Sequence, residues 1–248
     1  MFDVAPEDVV QIAADLGVPL VSLFTVEALP GARIVTHDNK HRVLERLRDT
    51  PVTVDAVEAF ILGDDPREFE AEIALAAELG SRTITALDIA ASDDVHAADQ
   101  LGALCEMTRS FGMTVGLEPI SMGRSRTIGD AVRVIELAGV TNAQITLDLL
   151  HIMRTDTPLT EVAKLDASLI GSAQVCDGPA IAPHDLLEEA SFSRGVPGSG
   201  DFPIPEFLAL LPSSVPVGLE IPLKSCRMAG MSALERSRMI LEAFATFD

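Results

Sequence analysis

The sequence has 248 residues, of which 48% are hydrophobic and 23% are charged, and its formal net charge is −20. Length and apolar content argue against disorder and favour one folded domain over residues 1–248. The chain has 38 acidic and 18 basic residues. This excess of negative charge argues against binding to nucleic acid or to an anionic membrane surface, because both require clustered cations.

Short β-branched or apolar runs alternate with amphipathic helical stretches along the chain. After a leading helix over residues 6–16, strands are predicted over residues 21–24, 52–62, 83–87, 114–118, 144–148, 170–176 and 216–220. The helices between and after them are predicted over residues 37–48, 66–79, 94–111, 128–137, 159–165, 204–211 and 231–244. This alternation is typical of βαβ units and a parallel sheet.

Two arrangements of such units obey the right-handed crossover rule, a barrel and a doubly wound sheet. A doubly wound sheet usually carries a glycine-rich phosphate turn after an early strand, and the sequence has neither GxGxxG nor GxxxxGK[ST] there. An eight-stranded barrel needs a first strand within residues 1–4, where it would be short or degenerate. We therefore predict an α/β fold with a single (β/α)8 TIM barrel.

The three cysteines, Cys105, Cys176 and Cys226, are far apart and form no CxxC pair, which is typical of a reducing compartment. The first residues lack the basic and apolar regions of a signal peptide. No apolar run approaches the roughly 20 residues of a membrane span. These features predict a soluble, cytoplasmic protein.

Four late strands end on polar side chains that can bind a cation: Glu118, Asp148, Gln174 and Glu220. Their separations of 30, 26 and 46 residues each correspond to about one βα unit, so in a parallel barrel all four point into the C-terminal mouth. Converging buried carboxylates repel one another unless a cation balances them. An all-oxygen set favours Mg²⁺ or Mn²⁺ over Zn²⁺. The alternative is that each acid only caps the following helix.

Further polar residues follow the same strand ends. His151 could act as an acid or base near neutral pH, or it could be a structural histidine. The glycine-rich loop 193–203 could bring Arg194 over a bound oxyanion or hydroxyl, or it could be a surface turn. Arg154 and Lys224 could bind an anionic group of a substrate, although a lone cation more often pairs on a helix surface.

The order and spacing of five motifs resemble the xylose-isomerase-like barrel family. That family contains sugar isomerases, ketose 3-epimerases, inosose and 3-dehydroshikimate dehydratases, and the endonuclease IV group. The resemblance covers roughly residues 52–248. The motifs are LEP at Glu118, DLLH at Asp148 and His151, QVCDGP at Gln174, RGVPGSGD at Arg194, and LEIP at Glu220.

The resemblance implies that Glu118, Asp148, Gln174 and Glu220 bind the metal and that His151 and Arg194 face the substrate. In the epimerase branch, the residues matching Glu118 and Glu220 also move protons.

The sequence departs from that branch at two positions. Most epimerases have histidine where this chain has Gln174, and many carry an acid where Arg124 stands. Some bacterial 3-dehydroshikimate dehydratases have glutamine at the position of Gln174. The chain also lacks tryptophan and tyrosine, which many epimerases use to hold sugars. The endonuclease branch is excluded because its trinuclear zinc site needs several histidines and because the net charge opposes DNA.

The resulting prediction is a Mg²⁺- or Mn²⁺-dependent isomerase or epimerase of a sugar or related polyhydroxylated carbonyl compound, which removes a proton α to a carbonyl. Two alternatives stay open: a metal-dependent dehydratase that acts on 3-dehydroshikimate or an inosose, and a barrel that binds metal and ligand without turnover and needs a partner. Barrels of this type often pair, which leaves a homo-oligomer open.

Overall fold

The computed structural model describes residues 2–27, 31–63 and 65–247. The strands within these ranges are β1 (Leu20–Phe24), β2 (Thr53–Leu62), β3 (Thr83–Asp88), β4 (Thr114–Glu118), β5 (Ala143–Asp148), β6 (Ile170–Val175) and β7 (Val217–Leu219). They follow chain order in one sheet, from β1 to β7. Strands alternating with helices confirm the α/β class.

The α-helices are α1 (Pro6–Asp15), α2 (Lys40–Asp49), α3 (Glu70–Glu78), α4 (Asp94–Arg109), α5 (Ile128–Ala138), α6 (Leu149–Arg154), α7 (Leu159–Lys164), α8 (Leu186–Phe192), α9 (Ile204–Leu208), α10 (Lys224–Met228) and α11 (Ala233–Phe244). The long helices lie where the periodicity predicts them. The short helices α6, α8 and α10 are not predicted. Within the part of the chain that the structure describes, no helix is long and apolar enough to cross a membrane.

The first barrel strand, which the sequence leaves short or degenerate within residues 1–4, is not formed by the residues there that the structure describes. Residues 2–4 form turns and a bend rather than a strand, and Met1 lies outside the described residues. Asp3 lies between Phe2 and Val4, so the run is too short and too polar to form a buried strand. The described part of the chain therefore contains seven strands.

The chain divides into two compact units. The N-terminal unit consists of residues 2–118 and 132–144. Its strands β1 to β4 pair in parallel, with Phe24 opposite Glu58 and Leu87 opposite Glu118. Fully buried apolar side chains fill its core, among them Val57, Phe60, Ile84, Leu101 and Leu117.

The C-terminal unit consists of residues 119–131 and 145–247. Its strands also pair in parallel, with Asp148 opposite Gln174 and Gln174 opposite Gly218. Its core contains Leu147, Leu149, Val175, Ile204 and Phe207. The single-domain prediction for residues 1–248 stays a prediction.

Candidate active site

The four predicted ligands lie at the carboxyl ends of successive strands. Glu118 is the last residue of β4, and Asp148 is the last residue of β5. Gln174 is the next-to-last residue of β6, and Glu220 directly follows β7. Glu118 belongs to the N-terminal unit, where it is buried, and the other three belong to the C-terminal unit.

Arg194 joins two of the predicted ligands in the C-terminal unit. Its Nη1 donates to Oδ2 of Asp148 at 2.6 Å, and its Nη2 lies 3.2 Å from Oε2 of Glu220. Burial alone would lower the Arg194 pKa, but the carboxylates of Asp148 and Glu220 raise it well above its usual value. The guanidinium is therefore a permanent positive charge between the two acids.

Glu220 is the most accessible member of this cluster, with 24% of its side chain exposed. Burial of its carboxyl group raises the Glu220 pKa, Arg194 opposes that rise, and Asp148 adds to it. A raised carboxyl pKa on a side chain that is still partly exposed suits a group that takes up and returns a proton.

The two carboxylate oxygens of Asp148 have different hydrogen-bond partners. Its Oδ1 accepts a hydrogen bond of 2.8 Å from the Leu150 amide and so caps α6, while its Oδ2 accepts from Arg194. The capping interpretation is therefore correct for one oxygen of this residue. Each carboxylate oxygen can accept more than one bond, so capping does not prevent Asp148 from binding a cation.

Gln174 has a buried amide oxygen, Oε1, that has no hydrogen-bond partner among the described residues. A buried acceptor without a partner destabilises the folded state by about 1–3 kcal/mol. The oxygen stands at a strand end, opposite Asp148 in the neighbouring strand. Such an atom suits a bound cation or a ligand that donates a hydrogen bond.

His151 is buried in α6. Its Nδ1 lies 3.1 Å from the hydroxyl and 3.3 Å from the amide nitrogen of Ser121, and its Nε2 lies 3.8 Å from Oδ2 of Asp148. Burial lowers the His151 pKa to about 4, since the opposing effect of Asp148 is smaller and Arg194 adds to the lowering. The imidazole is therefore neutral at neutral pH.

Arg154 and Lys224, the two predicted binders of an anionic substrate group, both have carboxylate partners. Arg154 makes two hydrogen bonds of 2.6 and 2.7 Å to buried Glu189 and lies over the ring of Phe202. Lys224 pairs with Glu188 at 2.9 Å and lies over a phenylalanine ring of α8. The structure thus gives both cations a role within the protein, and their contact with a substrate stays a prediction.

Asp177 organises the loop of the candidate site, and it is not among the residues predicted from the sequence. Its carboxylate accepts hydrogen bonds of 2.8–3.0 Å from four amides, those of Gly178, Gly198, Gly200 and Phe202. Its backbone also exchanges two hydrogen bonds with Gly195, directly after Arg194. One buried carboxylate thus holds the whole loop that carries Arg194.

The structure brings together Asp148, His151, Arg194 and Glu220 by direct distances, and it pairs Gln174 with Asp148 in the sheet. Ser121 and Glu189 were missed together with Asp177. The DG pair at Asp177 was the one signal in the sequence that could have indicated a turn-forming carboxylate.

Parallel strands in chain order, with polar side chains at their carboxyl ends, are typical of TIM-barrel proteins. The model of the xylose isomerase-like TIM barrel family matches residues 7–241. The chain therefore belongs to the xylose isomerase-like TIM barrel family, as its motifs predict. No match was found among curated proteins.

Solved structures support the fold at low sequence identity. The IolI protein, solved with a bound zinc atom, superposes with a TM-score of 0.83 at 15% identity, over 99% of this chain and 94% of that one. A probable 3-DHS dehydratase, AsbF from Bacillus anthracis, gives 0.72 at 16% identity, over 99% and 94%. An L-ribulose 3-epimerase gives 0.70 at 16% identity, over 97% and 87%. These likenesses establish the fold and leave the reaction open.

Proposed function

We propose that the protein is a divalent-metal-dependent isomerase or epimerase of a sugar or related polyhydroxylated carbonyl compound. The observation that carries this proposal is the set of strand-end groups in the C-terminal unit. Asp148 and Glu220 share Arg194, and the amide oxygen of Gln174 has no partner among the described residues. Membership of the family supports the same conclusion.

The proposed metal ligands are Glu118, Asp148, Gln174 and Glu220. Asp148 and Gln174 are paired across β5 and β6, and Gln174 pairs with Gly218 two residues before Glu220. Glu118 ends β4 in the N-terminal unit, and its place among the ligands rests on the family resemblance. The side chains present fit a divalent cation because all four donors are oxygens, which favours Mg²⁺ or Mn²⁺ over Zn²⁺.

The chemistry follows from the acids and the guanidinium. A divalent metal, when bound, polarises a carbonyl and so acidifies the hydrogen on the adjacent carbon. Glu220, with its raised pKa and partly exposed side chain, takes that proton on a carboxylate oxygen. Arg194 donates to oxygens of the substrate and holds it in place. The resemblance assigns the return of a proton to the opposite face, which completes an epimerisation, to the acid form of Glu118. Before the next turnover Glu220 releases its proton to solvent and Glu118 takes one up, so that both acids regain their starting states. Return of the proton from Glu220 to the neighbouring carbon gives an isomerisation instead.

A dehydratase is the second candidate, and Gln174 favours it. The resemblance associates glutamine at this position with some 3-dehydroshikimate dehydratases, and a probable 3-DHS dehydratase is among the similar structures. Elimination of water creates a conjugated product that absorbs in the ultraviolet, whereas epimerisation leaves the spectrum unchanged. Spectra recorded during incubation with 3-dehydroshikimate, inososes and ketoses separate the two reactions.

Metal binding is the first property to test. Mn²⁺ or Mg²⁺ at about 100 times its dissociation constant raises the free energy of unfolding by about 2.7 kcal/mol. We expect EDTA-treated protein to gain this stability when either ion is added, and Glu118→Ala and Glu220→Ala to lose most of the gain. Metal analysis and urea unfolding with and without each ion measure both effects.

The matched control is Glu206→Ala, which removes an exposed carboxylate of the C-terminal unit and should keep the full gain. Wild-type protein that holds no metal and unfolds identically with either ion would contradict the four-ligand site. Glu220→Gln separates an enzyme from a barrel that only binds, since an enzyme loses turnover while keeping its fold and a binder has no turnover to lose.

A further inference from the structure

The environment of the His151 ring decides which of its nitrogens carries the proton. Two groups of Ser121 meet Nδ1, the amide nitrogen at 3.3 Å and the hydroxyl oxygen at 3.1 Å. Ser121 lies in the turn that follows β4, and His151 lies in α6, so the contact joins two elements of the C-terminal unit. Both residues are buried.

The Ser121 amide constrains the imidazole more strongly than the hydroxyl does. A backbone N–H can only donate a hydrogen bond, whereas a hydroxyl can donate or accept. An Nδ1 that carried a hydrogen would therefore point it at another N–H. The arrangement is satisfied only when Nδ1 presents its lone pair, which in a neutral imidazole leaves the single proton on Nε2.

The other side of the ring supports the same assignment. Nε2 lies 3.8 Å from Oδ2 of Asp148, which already accepts a hydrogen bond of 2.6 Å from Arg194. An N–H directed at a carboxylate is attracted to it, whereas a lone pair would be repelled. The two sides of the imidazole thus agree on the Nε2–H tautomer.

We propose that Ser121 is a positioning residue that holds the neutral His151 imidazole as its Nε2–H tautomer. His151 then acts as a fixed hydrogen-bond donor, and as long as Nε2 keeps its proton this nitrogen has no lone pair with which to bind a metal or to remove a proton from the substrate. The tautomer stands independently of the reaction, while its catalytic consequence rests on the proposed function. This assignment argues against the base role that the sequence allows for His151, and its acid role stays a prediction.

The direct test is the protonation of the two ring nitrogens, measured by long-range ¹H–¹⁵N correlation on protein labelled with ¹⁵N-histidine. The His151→Gln variant assigns the signals. At neutral pH we expect Nδ1 at the chemical shift of an unprotonated nitrogen and Nε2 at that of a protonated one. An Nδ1 that carries the proton overturns the proposal.

Two further measurements probe the same signals. Ser121→Ala keeps the amide and should keep Nδ1 unprotonated, so a proton that moves to Nδ1 in this variant overturns the role of the amide. Saturation with Zn²⁺, a diamagnetic ion that readily takes imidazole ligands, should leave the proton on Nε2. Loss of that proton on addition of Zn²⁺ would make His151 a metal ligand and overturn the proposal.

Kinetics test the donor role once a substrate is known. In a His→Gln substitution the side-chain amide nitrogen lies close to the position of Nε2. In a His→Asn substitution it lies close to the position of Nδ1. Neither amide can act as a base. Loss of a general base slows a reaction by about 10²–10⁴-fold, so we expect His151→Gln to retain kcat within about tenfold and His151→Asn to lose more. Equal losses in both variants would contradict a donor at Nε2. Absence of turnover in wild-type protein would contradict the proposed function while the tautomer remains measurable.

Discussion

Arg194 is the residue on which the candidate site depends most. Its guanidinium lies between Asp148 and Glu220, and a carbonyl oxygen of α8, that of Ala190, accepts from its Nε at 2.9 Å. The charge is almost completely removed from solvent, since 3% of the side chain is exposed. Removing one partner from such a cluster leaves an uncompensated buried charge, which is more harmful than removing an exposed ion pair.

We therefore expect Arg194→Met to lower the free energy of unfolding of metal-free protein by about 3–5 kcal/mol. Arg227→Met, which removes an exposed guanidinium from α10, should change it by less than about 0.5 kcal/mol. Urea unfolding after EDTA treatment measures both. Added Mn²⁺ should restore part of the stability lost in Arg194→Met, because the metal ion then balances the charges of Asp148 and Glu220 in place of the guanidinium. Equal stabilities of the two variants would contradict the role of Arg194 as the counter-charge of Asp148 and Glu220.

At the scale of single residues, the sequence predicts those that stand at strand ends and does not predict those whose role depends on loop geometry. Glu118, Asp148, Gln174 and Glu220 each end or follow a β-branched or apolar run, which fixes their place. Asp177 contacts amides up to 25 residues away, and Ser121 meets a histidine 30 residues further along. Spacing within one element cannot reveal such contacts.

Among the elements, the loop after β6 is constrained by close packing of its backbone. A Cβ built on Gly200 would lie 2.4 Å from the carbonyl oxygen of Gly178 and 2.5 Å from Oδ1 of Asp177. A Cβ built on Gly195 would lie 2.7 Å from the carbonyl oxygen of Asp177. The glycines of this loop therefore permit the close approach of backbone segments, and the loop is more ordered than its composition suggests.

We expect Gly200→Ala to lower the free energy of unfolding by about 1–3 kcal/mol, because the added methyl group must push backbone apart. Gly102→Ala in the interior of α4 is the matched control. Nothing lies within 4 Å of its Cβ position, so this change should raise stability by about 0.5–1 kcal/mol. Urea unfolding of both variants measures the difference in sign, and a neutral Gly200→Ala would show that the loop can move without penalty.

The elements that the sequence failed to predict have a common cause. Helices α6, α8 and α10 contain six, seven and five residues, which is fewer than two turns of periodicity and too few to distinguish a helix from a loop. Two of the three carry site residues, His151 in α6 and Lys224 in α10. The longer helices α4 and α11 repeat their apolar positions often enough to be recognised.

At the scale of the whole molecule, the burial of the cysteines offers a check on the packing of both units. Cys105 in the N-terminal unit and Cys176 in the C-terminal unit are fully buried, and Cys226 is partly exposed. Burial raises the pKa of Cys105 to about 12 and raises that of Cys176 further. Both thiols are therefore protonated and shielded at neutral pH, and the thiolate is the reactive form.

We expect iodoacetamide to label native protein at one position, Cys226, and urea-unfolded protein at all three. Mass spectrometry of tryptic peptides measures the labelling of each cysteine over time. A Cys226→Ser variant serves as the control and should remain unlabelled while folded. Rapid labelling of Cys105 or Cys176 in native protein would show that one of the units opens readily.

The position of Arg194 also bears on how the protein acquires its metal. A chain whose acids can be balanced only by an ion must capture that ion in order to fold, as small zinc domains do. Here a side chain of the protein already balances Asp148 and Glu220, so folding and loading become separate events. The ion that binds is then selected by its abundance in the surroundings as well as by the ligands. Folded protein can exchange one metal ion for another without unfolding.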